Sequence, residues 1–248
     1  MAAFREISLK KEHIVCITTG GELEKLAGNL ALPYIKLPPG LQPRAALGYS
    51  FFPILYLLMK SGAYKYNAVE HTKAAINELN GLLDRKLPLY TRLDESNPAL
   101  ELAKKIFGKI VVIYSSTDRL DSVNLRWRCQ IQENAKHLAF GNLLPEMNHN
   151  EINSWNNPEG FGKNMVIIFL RDNEDNPRIK VRFDALAEVL SPLCSNIISV
   201  ESSAETLLAR MFDLIWLGDW VSFYLAMLNG EDPTPIPAIS TLKEKLSK

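Results

Sequence analysis

Residues 109–145, KIVVIYSSTDRLDSVNLRWRCQIQENAKHLAFGNLLP, decide the fold. Two short apolar runs, at 109–116 and up to Pro145, predict buried strands, and the stretch between them, over about 121–138, predicts a helix. The alternation continues downstream with strands at 164–172 and 195–202, a helix at 178–190 and a long helix from Thr206 to Leu228. Short buried strands separated by helices are typical of a parallel sheet covered on both faces, so the predicted fold class is α/β.

The first half of the chain carries a shorter version of this pattern. Apolar runs at 13–18 and 33–37 predict two strands, and ELEKLAGN (22–29), after Gly20-Gly21, predicts a helix between them. QPRAALGYSFFPILYLLMKSG predicts a long helix with Pro43 near its start, and a further helix is predicted at about 67–84. A two-stranded parallel sheet is a poor platform for three helices. The first half is therefore expected either to pack against the second half or to be missing a segment that precedes residue 1.

The polar, proline-containing stretch 85–97 predicts the domain boundary. We expect a first domain over 1–90, a second over 91–230, and a C-terminal arm with a short helix over 231–248. At the start of the second domain, Ser96 or Asn97 can cap a helix opened by Pro98.

Composition narrows the class of partner. The chain has 248 residues, 47% of them apolar, and 28 basic residues balance 28 acidic ones. Without a long-range field to collect nucleic acid or an anionic membrane, a small-molecule partner is expected. The three cysteines, Cys16, Cys129 and Cys194, are far apart and predict reduced core thiols, and the longest apolar run is about half a membrane span. These features predict a cytoplasmic protein.

Three cofactor signatures are absent: the Gly-rich dinucleotide turn, the phosphate-binding P-loop, and a His or Cys pair at metal-ligand spacing. We therefore expect no cofactor and no metal, and the remaining chemistry is acid–base work by Glu, His, Lys and Arg. On the helix at 121–138, Arg126, Gln130, Glu133 and His137 share one face. This face is either a solvated stripe or, because Trp127 and Cys129 indicate burial on other sides, part of a site.

Three further segments leave a structural and a functional interpretation open. In LLPEMNHNEINSW (143–155), Asn148 or Asn150 can cap a short helix, while His149 follows a strand at the edge where α/β sheets bind ligands. Arg44 opens an apolar helix, where it is either exposed or faces an anion in a cleft. The Pro-rich tail is a packing arm in which Lys243 or Lys245 could point into a site.

Several long blocks occur in the order found in one family. They are ITTGGELEKLA, LPPGLQPRAALGYSFFPIL, RWRCQIQENAKHLAF, LPEMNHNEINSW and YLAMLNGEDPTPIPAISTLKEKL. From about residue 10 to its end, the chain resembles the bifunctional phosphoglucose/phosphomannose isomerases, which consist of two sugar-isomerase (SIS) domains. The resemblance implies two SIS-type subdomains with flavodoxin-like, three-layer parallel sheets. It also implies metal-independent interconversion of glucose 6-phosphate, and mannose 6-phosphate, with fructose 6-phosphate.

The resemblance assigns roles to individual residues. Glu133 of QENAK matches the base that moves a proton between C1 and C2 of a cis-enediol, and Arg44 of QPRAA matches the cation that stabilises the enediolate oxygens. Ring opening is assigned to His149 of NHNE and to a C-terminal lysine, which we place at Lys243 in preference to Lys245. Thr234, in DPTPIP, is a substrate-binding position suited to admitting both C2 epimers. The family's site forms across a homodimer, with His149 supplied by the neighbouring subunit.

The chain departs from the family pattern at its N-terminus. It lacks the Gly-rich turn and Ser/Thr loop that hold the sugar phosphate, and Met1–Phe4 matches the helix that follows this loop, so the first SIS domain is expected to be incomplete. Because remote phosphate binding contributes to transition-state stabilisation, this chain alone is predicted to have very low isomerase activity. The alternative is that the chain is a non-catalytic, regulatory SIS-type module that binds sugar phosphates.

Overall fold

The structure, a computed structural model, describes residues 14–63 and 66–247. These residues form two compact units that divide between Glu70 and His71. The helix matched to Met1–Phe4 lies outside the described residues. The division of the chain into domains at residues 90 and 230 stays a prediction.

The first unit contains a two-stranded parallel sheet and two helices. Its elements are β1 (Cys16–Thr18), α1 (Gly21–Asn29), β2 (Tyr34–Lys36), a 3₁₀ turn (Pro43–Ala45) and α2 (Leu47–Lys60). β1 and β2 pair in parallel, with Ile17 opposite Ile35. Both strands and both helices occur where the sequence predicts them, although Pro43 opens a 3₁₀ turn and the α-helix starts at Leu47.

The second unit is a four-stranded α/β layer structure. Its elements are most of α3 (Tyr66–Tyr90), α4 (Pro98–Ile106), β3 (Ile110–Ser116), α5 (Asp121–Ala135), β4 (Ala139–Leu144), β5 (Met165–Arg171), α6 (Pro177–Leu190), β6 (Ile197–Glu201), α7 (Leu207–Asn229) and α8 (Pro237–Leu246). The strand order is β4-β3-β5-β6 and every pair is parallel. The prediction of a parallel sheet with helices on both faces is confirmed.

The side chains of the strands point alternately to the two faces of the sheet, and each face carries an apolar core. On one face, residues such as Val111, Ile113 and Ile168 pack against α4, α5 and α7. On the other face, Val112 and Phe169 pack against α6 and against the β4–β5 connection, which consists of 3₁₀ turns. Successive strand residues point to opposite faces, so near-continuous apolar runs such as IVVIY fill both cores.

The stretch 85–97 is more ordered than its polar composition indicates. α3 extends to Tyr90 and contains Pro88, so the first part of the predicted boundary is helical. Tyr90 is buried, its ring lies 5.1 Å from that of Trp216, and its carbonyl accepts the Tyr224 hydroxyl at 2.5 Å. These tertiary contacts outweigh the local helix-breaking tendency of proline.

Asn97 is the residue that caps α4. Its Oδ1 accepts the backbone N–H of Ala99 and Leu100 at 3.0 and 3.2 Å, and its Nδ2 donates to the carbonyls of Tyr90 and Arg92. The fully buried side chain therefore ties the end of α3 to the start of α4. Of the two capping alternatives, Ser96 is the one that the structure does not use.

α7 is the central helix of the second unit. Among the residues that the structure describes, it alone has the length and composition to span a membrane, with 44% of its most apolar 18-residue window buried. Three charged residues along it are ion-paired: Arg210 with Asp172, Asp213 with Lys86, and Asp219 with Arg126. These contacts are those of a core helix.

Candidate active site

Glu133 lies half-buried in the last turn of α5, and packing against α7 sets the position of that helix. The anchor is Trp127, which is 1% exposed and whose indole N–H donates to the carbonyl of Leu214 at 2.8 Å. A Cβ placed on Gly218 would lie 2.4 Å from Trp127 Nε1. Only a glycine at position 218 lets α5 and α7 approach this closely.

A line of polar contacts runs along the same α5–α7 contact. Arg126 Nη2 and Gln130 Nε2 donate to the two carboxylate oxygens of Asp219 at 2.7 and 2.8 Å, and Asn134 donates to Ser222 Oγ at 2.9 Å. Burial raises the pKa of Asp219, and these two donors oppose that rise. The interpretation of Arg126 and Gln130 as a solvated stripe is wrong, because they face a partner helix.

α5 ends at Ala135, three residues before the predicted end, because Lys136 adopts a left-handed conformation with φ 50°. His137 follows, with Nε2 2.5 Å from the carbonyl of Lys109 and Nδ1 3.2 Å from the amide nitrogen of Asn229. A neutral imidazole protonated at Nε2 satisfies both contacts. His137 therefore closes the start of β3 against the end of α7 and is a structural residue.

The C-terminal arm starts beside the last turn of α5. Lys136 Nζ donates to the carbonyl of Asp232 at 2.5 Å, and the backbone N–H of Thr234 donates to Asp232 Oδ1 at 2.8 Å. Thr234 is exposed, as are both Lys243 and Lys245 on α8. The structure thus brings the arm to the sheet edge where Glu133 lies, and it leaves the choice between the two lysines open.

His149 lies in the turn after β4 with its side chain exposed. Its backbone N–H donates to the carbonyl of Glu146 at 2.9 Å. Asn150 then caps the 3₁₀ turn Glu151–Asn156, its Oδ1 accepting the Glu151 N–H at 2.6 Å. Of the two capping alternatives in this segment, Asn150 is the cap.

Glu151 fixes the His149 turn to the sheet, a role that sequence reasoning missed. Its Oε1 accepts the Tyr114 hydroxyl at 2.5 Å and its Oε2 accepts the Asn142 amide at 2.8 Å. Burial, with this carboxylate, raises the pKa of Tyr114, so the phenol remains a donor at neutral pH. The available signal was an acidic residue two positions after His149 opposite a tyrosine in a buried strand.

Glu133 and His149 lie toward opposite ends of the strands of the four-stranded sheet, Glu133 toward the amino ends and His149 at the carboxyl ends. α5 starts at the carboxyl edge, after β3, and its path back from Asp121 to Glu133 covers about 18 Å at 1.5 Å per residue. His149, in contrast, follows the carboxyl end of β4, and its turn is anchored beside Tyr114 near the end of β3. Within one chain the two side chains are separated by most of the length of the sheet.

Arg44 belongs to the first unit. It is half-buried in the 3₁₀ turn Pro43–Ala45, immediately before α2. Next to this turn, an open groove of about 680 Å³ is lined by apolar residues that include Ala45, Tyr49 and Phe52. The Thr18 hydroxyl, at the end of β1, donates to the carbonyl of Gly20 at 2.8 Å and closes its own turn.

Comparisons with known proteins identify the family. The family model described as "Bacterial phospho-glucose isomerase C-terminal SIS domain" matches residues 95–246. A bifunctional phosphoglucose/phosphomannose isomerase from Caldicellulosiruptor bescii is 37% identical over all of this chain and 72% of its own length. One from Thermoplasma acidophilum is 32% identical over the same shares. The chain belongs to the bifunctional phosphoglucose/phosphomannose isomerase family.

Solved structures agree with the fold of this family member. A hypothetical protein from Thermus thermophilus aligns with a TM-score of 0.70 at 14% identity, covering 99% of this chain and 67% of that one. A glucose-6-phosphate isomerase like protein from the same organism aligns with a TM-score of 0.58 at 18% identity, covering 88% and 75%. At these identities the likeness shows the fold alone, and it confirms the α/β fold class predicted from sequence. The predicted family resemblance is confirmed by the family model and the sequence relatives.

In this isomerase-family chain, ion pairs fill the carboxyl edge of the four-stranded sheet. Arg210 is 1% exposed and donates to both carboxylate oxygens of Asp172, at 2.9 and 3.2 Å. It also pairs with Glu174 at 2.9 Å, and together with Arg119 it lowers the pKa of that carboxyl. Within residues 14–63 and 66–247, no three His, Cys, Asp or Glu side chains group as metal ligands.

Proposed function

We propose that this chain interconverts glucose 6-phosphate and mannose 6-phosphate with fructose 6-phosphate through a cis-enediol and without a metal, at the low rate that the sequence predicts for the chain alone. The observation that carries the proposal is the match over the whole chain, at 37% identity, to a protein named bifunctional phosphoglucose/phosphomannose isomerase. The blocks that hold the proposed acid–base residues all lie within the matched sequence.

The proposed roles follow the chemistry of aldose–ketose isomerisation. The Glu133 carboxylate removes the proton from C2 of the open-chain aldose and returns it to C1, while the Arg44 guanidinium stabilises the negative charge on the enediolate oxygens. His149 and Lys243, with Lys245 as the second choice, exchange protons with the ring oxygen and O1 during ring opening. The Thr234 hydroxyl contacts the substrate near C2, where glucose and mannose differ.

The placement of Glu133 and His149 supports a site shared between two subunits. Because the two residues lie toward opposite ends of the strands of one sheet, a single chain does not place both of them beside one sugar. A homodimer in which the exposed His149 reaches the neighbour's Glu133 resolves this separation. A symmetric pair would then contain two equivalent sites.

Loss of the base tests the reaction. Exchange of the C2 proton of glucose 6-phosphate with deuterated solvent, followed by NMR, reports the proton transfer itself. Glu133→Gln should slow this exchange by at least about 100-fold without altering the circular dichroism spectrum. Glu146→Gln, which removes an exposed carboxylate next to the His149 turn, is the matched control and should exchange normally.

A Glu133→Gln variant as active as the wild-type chain would contradict the assignment of Glu133 as the base. The alternative function, a non-catalytic module that binds sugar phosphate, predicts a different result: fructose 6-phosphate raises the melting temperature of the wild-type chain but no C2 exchange occurs.

Mixing two inactive variants tests the shared site. If each site takes Glu133 from one subunit and His149 from the other, a heterodimer of Glu133→Gln and His149→Ala subunits contains one intact site. Random mixing should then restore about a quarter of wild-type activity, since about half of the dimers are heterodimers. If both residues came from one chain, both sites of the heterodimer would be defective and mixing would restore nothing.

The proposal extends to the setting of the enzyme. We further propose that the partner is a phosphorylated hexose, that the chain forms a homodimer in the cytoplasm, and that the reaction serves glycolysis and gluconeogenesis. The zero net charge and the core contacts of α7 support a protein that engages neither nucleic acid nor membrane.

A further inference from the structure

A cavity of about 280 Å³ opens beside edge strand β4, on the sheet face that the β4–β5 connection covers. We call it the Glu151 cavity. Its principal lining residues are Val112, Phe140, Glu151, Trp155, Phe161 and Met165. No residue proposed for sugar isomerisation lines it.

The lining has the chemistry of a cation site. The lining includes three aromatic side chains, those of Phe140, Trp155 and Phe161, and a single carboxylate, that of Glu151, and it contains no Lys, Arg or His. Aromatic faces attract ammonium groups through the ring quadrupole, and a carboxylate adds a full negative charge. The same surroundings repel an anion, so this cavity does not suit a sugar phosphate.

The carboxylate is held in place before any ligand arrives. Tyr114 and Asn142 each donate one hydrogen bond to a separate oxygen of Glu151, at 2.5 and 2.8 Å. An ionised carboxylate offers about four acceptor positions, so about two remain for a ligand. Because the side chains are already ordered, binding would cost little conformational entropy.

We propose that the Glu151 cavity binds a small organic cation, an ammonium group carried on an apolar body. The volume is near the lower limit of about 300 Å³ for small-molecule sites, which favours a ligand with a single ring or a short branched chain. The aromatic walls take the apolar body, and Glu151 takes the ammonium group. This site would be separate from the isomerase site and would select ligands of the opposite charge.

A charge series on one ligand shape tests the proposal in the wild-type chain. Benzylammonium, benzyl alcohol and benzoate share a ring and differ in charge, and their binding at pH 7 can be followed by calorimetry and NMR. Benzylammonium should bind at least about tenfold more tightly than benzyl alcohol, and benzoate should not bind over the same concentration range. Equal affinity for the ammonium and the alcohol, or no binding of either, would overturn the proposal.

Variants place the binding in this cavity. Glu151→Gln should lower the benzylammonium affinity about tenfold and leave benzyl alcohol binding unchanged. The matched control, Glu146→Gln, should bind both as the wild type does. If Glu151→Gln does not fold, Trp155→Leu provides the second test, because it keeps the carboxylate and should still weaken benzylammonium binding. Unchanged benzylammonium affinity in the folded variant would place the cation elsewhere. Sugar-phosphate exchange is measured separately, so failure here leaves the isomerase proposal intact.

Discussion

Replacing Gly218 by alanine tests the packing that positions α5 and, with it, Glu133. Gly218 lies in the middle of α7, where alanine would ordinarily stabilise a helix by about 1 kcal/mol relative to glycine. In this chain the added Cβ would lie 2.4 Å from Trp127 Nε1 and 2.5 Å from Cε2. The predicted sign of the effect therefore depends on whether this contact exists.

The clash should outweigh the helix propensity. Trp127 is 1% exposed and its indole is tied to the Leu214 carbonyl at 2.8 Å, so the ring cannot withdraw without losing a buried hydrogen bond. Overpacking of a filled core costs about 1–3 kcal/mol, and the lost indole bond adds about 1 kcal/mol. After the gain in propensity is subtracted, we expect a net destabilisation of about 2 kcal/mol. In a chain of this size that lowers Tm by about 4–8 °C.

Thermal unfolding followed by far-UV circular dichroism measures the effect. Gly81→Ala is the control, because its Cβ would meet only the flexible end of Arg85, at 3.3 Å, and it should leave Tm unchanged or raise it slightly. In a Trp127→Leu background, Gly218→Ala should become neutral or stabilising, which gives a measurable coupling between the two positions. A Gly218→Ala chain with an unchanged or higher Tm would refute the α5–α7 packing argument.

Three further predictions concern stability, each measured by urea unfolding. Glu78 accepts the backbone N–H groups of Glu205 and Thr206, and despite its burial these bonds hold its pKa below the ordinary 4.5. A carboxyl with a lowered folded-state pKa stabilises above its unfolded pKa and loses that effect as pH falls through the folded value. The loss on Glu78→Gln, about 1 kcal/mol at pH 7, should therefore shrink as the pH falls below 4.5 and disappear once the pH is well below the folded-state pKa. Asn97→Ala should cost about 1–2 kcal/mol, because it removes the α4 cap and the two hydrogen bonds that Nδ2 donates to the carbonyls of Tyr90 and Arg92, whereas Ser96→Ala should stay within about 0.5 kcal/mol. Arg210→Met should cost about 3–5 kcal/mol by leaving Asp172 buried without its main partner; an effect no larger than about 1 kcal/mol would contradict the buried ion pair.

Local structure and family could be predicted from the chain itself. The apolar runs within 110–116 and 165–171 form strands, as expected of short runs that are buried on both faces of a parallel sheet. Pro98 after Asn97 starts a helix because proline is suited to the first helical position and asparagine can accept the free N–H groups. These signals depend on neighbouring residues in sequence. They hold wherever no distant contact opposes them.

Contacts between distant segments decided the rest. The polar face of α5 could not be assigned from its spacing, because Asp219, which pairs with Arg126 and Gln130, lies about ninety residues further along the chain. The helix through Pro88 persists because Tyr90 packs against α7. The separation of Glu133 from His149 comes from the direction in which α5 returns along a parallel sheet, which is a property of the topology. Sequence alone therefore determined which residues could carry chemistry, and the tertiary structure decided which of them lie at the same edge, because proximity depends on how the elements pack.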